Sequence, residues 1–285
     1  MTALERFDAW EIVERARHPE RPYSRDYILR LAPDFVELHG DRLTGDDPAL
    51  VAGLGTWDGG TTLFLGQQKG RRLDERVHRN FGMMHPEGFR KAIRLAKQAA
   101  RFGFPIVCLV DTPGAFPGAG AEERGIASAI GIAIAGWFSI ATPVIAVIIG
   151  EGGSGGALGL SVADRLLMLE SAIFSVASPE SAAAIVWRDQ ANKRTAAEQL
   201  RLTSSDLLRM GLVDEIVPEP AGGAHADHDA AARYVGESLA RAMDQFRHLP
   251  PDVLLRRRHQ RARSVGTASR VPSGLEWPAP SEAER

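Results

Sequence analysis

Hydrophobic positions along this chain fall into two kinds of pattern. Short apolar runs at 105–110 and 144–149, the latter led by β-branched residues, and the stretch 62–67, apolar between Thr62 and Gln67, read as buried strands. Residues 50–57 form a further strand, and Asp58-Gly59-Gly60 between it and 62–67 is a hairpin turn. Residues 89–102 instead repeat apolar positions at helical spacing, with Arg90, Lys91, Arg94 and Lys97 on the wet face. Upstream, 9–17 is a short helix stopped by Pro19 and Pro22. Ser24 caps a second helix toward Leu38, with Pro33 as its break. Downstream, strands are expected at 165–170, 172–176 and 213–217, and helices at 179–187, 195–210 and 229–249. Residues from Ser264 onward are rich in Ser, Pro and Glu and are expected to be disordered. The runs at 62–67, 105–110 and 144–149 each lead into a Gly-containing loop and then a helix. That alternation predicts an α/β core with those loops gathered on one edge.

No charged residue occurs between Gly125 and Gly150, a length that would span a bilayer. Thr142 and Pro143 interrupt it and Gly131 and Gly136 thin it, so a helix at 121–138, a turn and a strand are expected instead. That helix is apolar nearly all round and needs cover on more than one side, for which a partner subunit is the obvious source. The chain has 285 residues, 44% hydrophobic and 25% charged, with a net charge of −2. Nothing in that balance calls for nucleic acid or a membrane surface. The single cysteine, Cys108, lies within an apolar run, so a disulfide framework or a thiolate metal site is not expected. Residues 1–20 are charged throughout, with no apolar segment of the kind that directs secretion, and a reducing, cytoplasmic setting is expected.

The chemistry concentrates after the run at 144–149, in Gly150-Glu151-Gly152-Gly153-Ser154-Gly155-Gly156. So many glycines cost backbone entropy, which a chain accepts where the backbone must bend or approach something closely. A strand, a glycine turn and a helix start leave N–H groups aimed at one spot, backed by the helix dipole. Four readings compete. A phosphate-binding P-loop would need Lys and Ser/Thr where Gly156 and Ala157 stand. Ser154 could be a hydrolase nucleophile if a histidine and a carboxylate reached it. An oxyanion hole built from backbone N–H groups needs no side chain at all. The glycines could also serve close packing alone. Asp111-Thr112-Pro113-Gly114 suggests a GTPase switch, but the P-loop that such a switch serves is missing.

Seven motifs stand in one order: RARHPERPY (15–23), ELHGDR (37–42), GQQKGR (66–71), RNFGMMHPEGFRKA (79–92), DTPGAFPGAGAEERG (111–125), IGEGGSGGAL (149–158) and SPES (178–181). With them the chain resembles the carboxyltransferase α subunits of multi-subunit acetyl-CoA carboxylases over residues 9–260. The resemblance implies an α/β, crotonase-type (ClpP/crotonase) spiral of ββα units with flanking helices. It divides the chain into an N-terminal helical arm (1–44), a carboxyltransferase core (45–250) and a basic C-terminal tail (251–285). It also implies transfer of a carboxyl group from biotin, borne on a separate biotin carboxyl carrier protein, to acetyl-CoA, giving malonyl-CoA for fatty-acid synthesis. The partners so implied are a β subunit with a zinc ribbon, in an α2β2 assembly, and a biotin carboxylase that uses the ATP. The family's backbone donors for biotin map to Gly155 and Gly156, and a second donor loop to Gly114-Ala115. Gly152 and Gly153 would line the substrate, and no metal is expected in this chain. A paralogue acting on another acyl-CoA, a scaffold for the β subunit and a crotonase-fold hydrolase are the other readings.

Other residues admit two roles each. Lys69 and Arg71 could hold a CoA phosphate or the carboxylate, or belong to a solvated loop. Glu122-Glu123-Arg124 reads as a helix start or as part of a site, and Glu180 as a first-turn cap or as the acid that some crotonase relatives place there. The basic run 256–263 reads as a solvated tail or a contact with CoA phosphates or the partner. His85 and His225 sit in polar loops without metal-ligand spacing. Two departures from the family lie where subunits would meet: the N-terminal helical extension is nearly absent, and 126–140 lacks the charges many relatives carry there.

Overall fold

The computed structural model describes residues 7–265. Two helices lead in, α1 (Ala9–Ala16), with a reciprocal cap between Asp8 and Glu11, and α2 (Ser24–Leu31). Helix α2 ends at Leu31, before Pro33, instead of reaching Leu38. After β1 (Val36–Glu37), strands β2 (Leu50–Trp57) and β3 (Gly60–Gln67) make the expected hairpin. Asp58 and Gly59 both take positive φ, the turn geometry that follows strand twist. Then come α3 (Leu73–His78), a 3-10 turn at Asn80–Gly82, α4 (Pro86–Phe102) and β4 (Ile106–Thr112).

The uncharged stretch resolves into α5 (Ala119–Glu123), α6 (Ile126–Trp137) and β5 (Val144–Gly153). The single helix expected at 121–138 is broken because Gly125 takes φ +75 between its two pieces. No helix among the described residues is long and apolar enough to cross a membrane. The chain continues through α7 (Ser154–Ser161), β6 (Arg165–Leu169), β7 (Ile173–Ser175) and α8 (Pro179–Trp187). Two helices, α9 (Lys193–Leu200) and α10 (Ser204–Arg209), replace the one expected at 195–210. Arg201 turns left-handed between them and Thr203 caps α10 by accepting from the Asp206 amide. Last come β8 (Glu215–Val217), α11 (His228–Asp244) and α12 (Pro251–Ser264).

One sheet runs in the order β1-β2-β3-β4-β5-β6-β8, with β7 beside the far end of β5. It is antiparallel through β3 and parallel beyond. The central strand β4 is buried at every position, which explains an apolar run without alternation. Helices α4, α6 and α7 pack on one another closely enough that a Cβ on Gly159 would fall 2.4 Å from the Phe89 ring. Trp137 at the end of α6 is buried and donates to the Gly159 carbonyl at 2.7 Å.

The basic run 256–263, expected in a solvated tail, belongs to α12. Arg258 is buried there against Asp164 and the carbonyls of Trp137, Ile140 and Thr142. A guanidinium with that many partners docks the helix instead of leaving it in water. Ser264, where disorder was expected to begin, closes α12, and the rest of that expectation, 266–285, lies outside the described residues.

Candidate active site

Strands β3, β4 and β5 are neighbours and parallel from β3 onward, so their C-terminal ends and the loops that follow share one edge. Strand β5 runs further than the sequence predicts. Residues 151–153, expected as loop, remain extended because β7 pairs with them at Glu151↔Ile173, Gly152↔Phe174 and Gly153↔Ser175. The turn is therefore abrupt: Gly153 is the last strand residue and the N-cap of α7, and Ser154 begins the helix at φ +50. Gly155 and Gly156 occupy the first turn of α7, where backbone N–H groups have no intrahelical acceptor. Among the described residues no hydrogen bond engages either amide.

Side chains are absent here for steric reasons that differ by position. A Cβ on Gly153 would lie 2.1 Å from the Pro113 carbonyl oxygen, and one on Gly156 would lie 2.3 Å from the Gly114 carbonyl carbon and 2.6 Å from the Ala115 nitrogen. A Cβ on Gly152 would meet the Phe174 ring at 2.7 Å. Gly155 alone of these has room, its nearest neighbour being Ile130 at 3.4 Å. The loop 113–115 is thus pressed directly against the donor turn. Of its two expected donors, Gly114 is already engaged: its amide donates to the Thr112 hydroxyl at 3.2 Å. That hydroxyl donates in turn to the Gly114 carbonyl at 2.6 Å. Only the Ala115 amide, beside Gly156, has no hydrogen bond among the described residues.

Two hollows flank the turn. One, of about 410 Å³, is bordered by Ser154 and Gly155 and walled by apolar side chains including Leu158, Phe174, Leu207 and Met210. The other, of about 270 Å³, is polar and bordered by Arg17, Tyr23, Lys69, Arg76 and Glu151. Arg76 donates to the Gly70 carbonyl at 3.0 Å, and the other charges in the polar hollow are paired. Lys69 Nζ sits 2.8 Å from Asp111 and 3.6 Å from Glu151, and Arg17 bridges Glu151 at 3.1 Å and Glu180 at 2.6 Å. Burial works to lower the Lys69 ammonium, but Asp111 and Glu151 outweigh it and hold the group above its ordinary value. Lys69 is therefore neither a loose loop side chain nor a free cation. Arg71 pairs with Asp26 at 2.6 Å and lies over the Tyr23 ring. Glu180, expected as a first-turn cap ahead of an acid role, is one of two carboxylates that hold Arg17. Arg124 reaches back to Glu87 and His85, so the 122–124 segment is tied to α4. Ser154 has no hydrogen bond to a histidine or carboxylate among the described residues, so no nucleophilic triad is formed. Nor do they hold a cluster of three His, Cys, Asp or Glu side chains able to bind a metal.

Residues 2–266 match the model of the acetyl co-enzyme A carboxylase carboxyltransferase-like family. The chain belongs to that family. One relative, the acetyl-coenzyme A carboxylase carboxyl transferase subunit alpha of Carboxydothermus hydrogenoformans, is 53% identical over 258 residues, covering 90% of this chain and 80% of its own. The subunit of that name from Thermus thermophilus is 50% identical over 262 residues, covering 92% and 84%. Among solved structures, the chain is similar to a Pseudomonas malonate decarboxylase hetero-tetramer in complex with coenzyme A, with a TM-score of 0.66 at 21% identity over 85% of this chain and 95% of that one. Transcarboxylase 12S gives a TM-score of 0.64 at 20% identity over 79% of this chain and 42% of that one. These two likenesses are of fold, and the fold is the crotonase type.

Within this carboxyltransferase family member, the three Gly-containing strand ends and the first turn of α7 do converge. Sequence reasoning missed what surrounds them. Arg17, Gln67, Asp111 and Glu151 all lie inside the motifs quoted above, yet nothing in their spacing shows that four separate segments meet behind one turn. The available signal was polar residues within or beside otherwise apolar strand runs, since a buried polar group needs a partner.

Proposed function

We propose that this chain is the α subunit of a biotin-dependent acetyl-CoA carboxylase carboxyltransferase. It would transfer a carboxyl group from biotin, carried on a separate protein, to acetyl-CoA, and would act with a β partner. The observation that carries the reading is the pair of unengaged amides at Gly155 and Gly156, opening beside an apolar hollow of about 410 Å³. A flat, largely apolar ring with one polar oxygen suits that combination. Biotin would supply the carboxyl group, and the amides of Gly155 and Gly156 would hold its ureido oxygen. Two main-chain donors in a preorganised turn, with the positive end of α7 behind them, stabilise charge at that point. Losing one such donor costs about 2.7–4 kcal/mol of barrier. The Ala115 amide stands close enough to Gly156 to serve as a further donor. Gly152 and Gly153 shape the floor by letting Pro113 and Phe174 approach.

Lys69 and Arg71 are not assigned to CoA, because Asp111 and Asp26 already engage them. Leu158 and Val176 are exposed at the apolar hollow, and Ile132 and Ile185 are exposed on α6 and α8. Exposed apolar surface of that kind supports a β subunit as the missing wall, in the α2β2 arrangement, with the zinc ribbon on the β side. A biotin carboxyl carrier protein and an ATP-using biotin carboxylase complete the set, in the cytoplasm.

The test is reconstitution with a β subunit. Gly155→Leu, which has room in the fold, should still assemble yet lose about a hundredfold in kcat as its side chain covers the donors. Ser154→Gly should keep activity, since no hydroxyl chemistry is used. Full activity in assembled Gly155→Leu, or loss of activity in Ser154→Gly, overturns the reading.

A further inference from the structure

Three hydrogen bonds bracket the donor turn from behind. Asp111 Oδ1 accepts the Glu151 amide at 2.9 Å, where the turn begins. The Asp111 amide donates to Gln67 Oε1 at 3.2 Å. Gln67 Nε2 donates to the Gly156 carbonyl at 2.7 Å, where the turn ends. A single buried side-chain amide on β3 therefore reads β4 with one end and the donor glycine of α7 with the other.

The ladder between β4 and β5 explains why this bracket is needed. Val110 faces Ile148 and Thr112 faces Gly152, so two steps along β4 match four along β5. The extra chain bulges at 149–151 and would leave an amide unpaired. Asp111 fills the gap with its carboxylate, and a Cβ on Gly150 would lie only 2.5 Å from that oxygen. Gln67 and Asp111 are both buried, so each bond stands in a low-dielectric setting, where a lost partner is costly. Lys69 Nζ, 2.8 Å away, opposes the burial that pushes the Asp111 carboxyl up.

We infer that Gln67 and Asp111 are positioning residues that set where the Gly155 and Gly156 amides point. The inference rests on the assignment of those amides as the oxyanion donors. Neither side chain faces substrate; both act through the backbone at the two ends of the turn. Displacement of donors by a fraction of an ångström is enough to matter, because an oxyanion site works through fixed geometry.

Gln67→Glu and Gln67→Met separate positioning from mere support. Glutamate keeps the shape but, when ionised, sets an oxygen against the Gly156 carbonyl; when protonated it donates there again. In complexes reconstituted with the β subunit, Gln67→Met should lose about ten- to a hundredfold in kcat at every pH, with little change in KM for acetyl-CoA. Gln67→Glu should show the same loss at high pH and regain activity as pH falls, relative to the native profile. Assembled protein is quantified by gel filtration at each pH, so that folding losses are removed. If both variants keep kcat within about twofold per assembled complex, or if Gln67→Glu has the native pH profile, the inference is overturned. Gly155→Leu run alongside distinguishes the two failures: should it stay active, the donor assignment falls, and should it alone be inactive, only the positioning role does.

Discussion

Arg258 on α12 and Asp164, just before β6, stand 94 positions apart and meet as a buried pair, with Nη2 to Oδ2 at 2.6 Å and Nε to Oδ1 at 2.9 Å. Asp164 also accepts the Val144 amide at 2.8 Å, at the start of β5. The last helix is thereby fastened to the root of the strand that carries the donor turn. Replacing Arg258 by Ala leaves Asp164 buried without its counter-charge, which costs about 3–5 kcal/mol. Arg257→Ala removes an exposed guanidinium over the Phe246 ring, worth under about 1 kcal/mol. Urea denaturation of the two variants should show that contrast, and equal midpoints would mean that α12 is not docked through this pair.

A similar contrast separates Lys69 from Arg71. Lys69→Met strands Asp111 in the interior, for about 3–5 kcal/mol. Arg71→Ala breaks a partly exposed pair with Asp26, for under about 1 kcal/mol. Thermal unfolding reads the difference. A Lys69→Met protein of native stability with a raised KM for acetyl-CoA would instead return Lys69 to the substrate.

The strands of this sheet were legible because β4, β5 and most of β3 are buried on both faces and leave apolar runs without alternation. The hairpin was legible because Asp58-Gly59 is a turn with a mechanism. What could not be read is where long-range pairing overrides local pattern. Gly152 and Gly153 look like loop until β7 pairs with them, and 256–263 looks like a solvated tail until Arg258 finds Asp164. Gly155 and Gly156 came from the family resemblance, and the structure leaves both amides without a hydrogen bond among the described residues. Gly114, mapped from the same resemblance, is spent on Thr112, a contact two residues away that the mapping does not reveal. Gln67 carried no signal beyond being polar at the end of a buried strand.

Stability should also depend on pH through Asp47. Burial lifts its carboxyl to about 6, against the hydrogen bonds it accepts from the Ala49 and His85 amides. The folded chain then holds a proton that the unfolded chain has lost between pH about 4 and 6. This group's contribution is therefore full below that window and disappears as pH rises through it. Asp47→Asn, which stays neutral throughout, should flatten the corresponding slope in denaturant midpoints measured between pH 4 and 7. An unchanged slope would show that Asp47 titrates normally in the folded chain.

The glycines of the donor turn should not respond alike to one added methyl group. Gly153→Ala forces a Cβ to 2.1 Å from the Pro113 carbonyl oxygen and 2.4 Å from its carbon, both backbone atoms that cannot swing aside. The strand end and the 113–115 loop must part, at about 1–3 kcal/mol or more, and the donors move with them. Gly155→Ala meets only the Ile130 side chain at 3.4 and 3.5 Å, which is ordinary contact. There the higher helix propensity of alanine, up to about 1 kcal/mol, is available without a clash. The expected result is a Gly155→Ala protein at or above the native unfolding midpoint with its amide donor intact, beside a Gly153→Ala protein that is both less stable and slower per assembled complex. If Gly153→Ala were tolerated and Gly155→Ala were not, the close approach of the 113–115 loop to the turn would be wrong, and with it the placement of Ala115 beside Gly156.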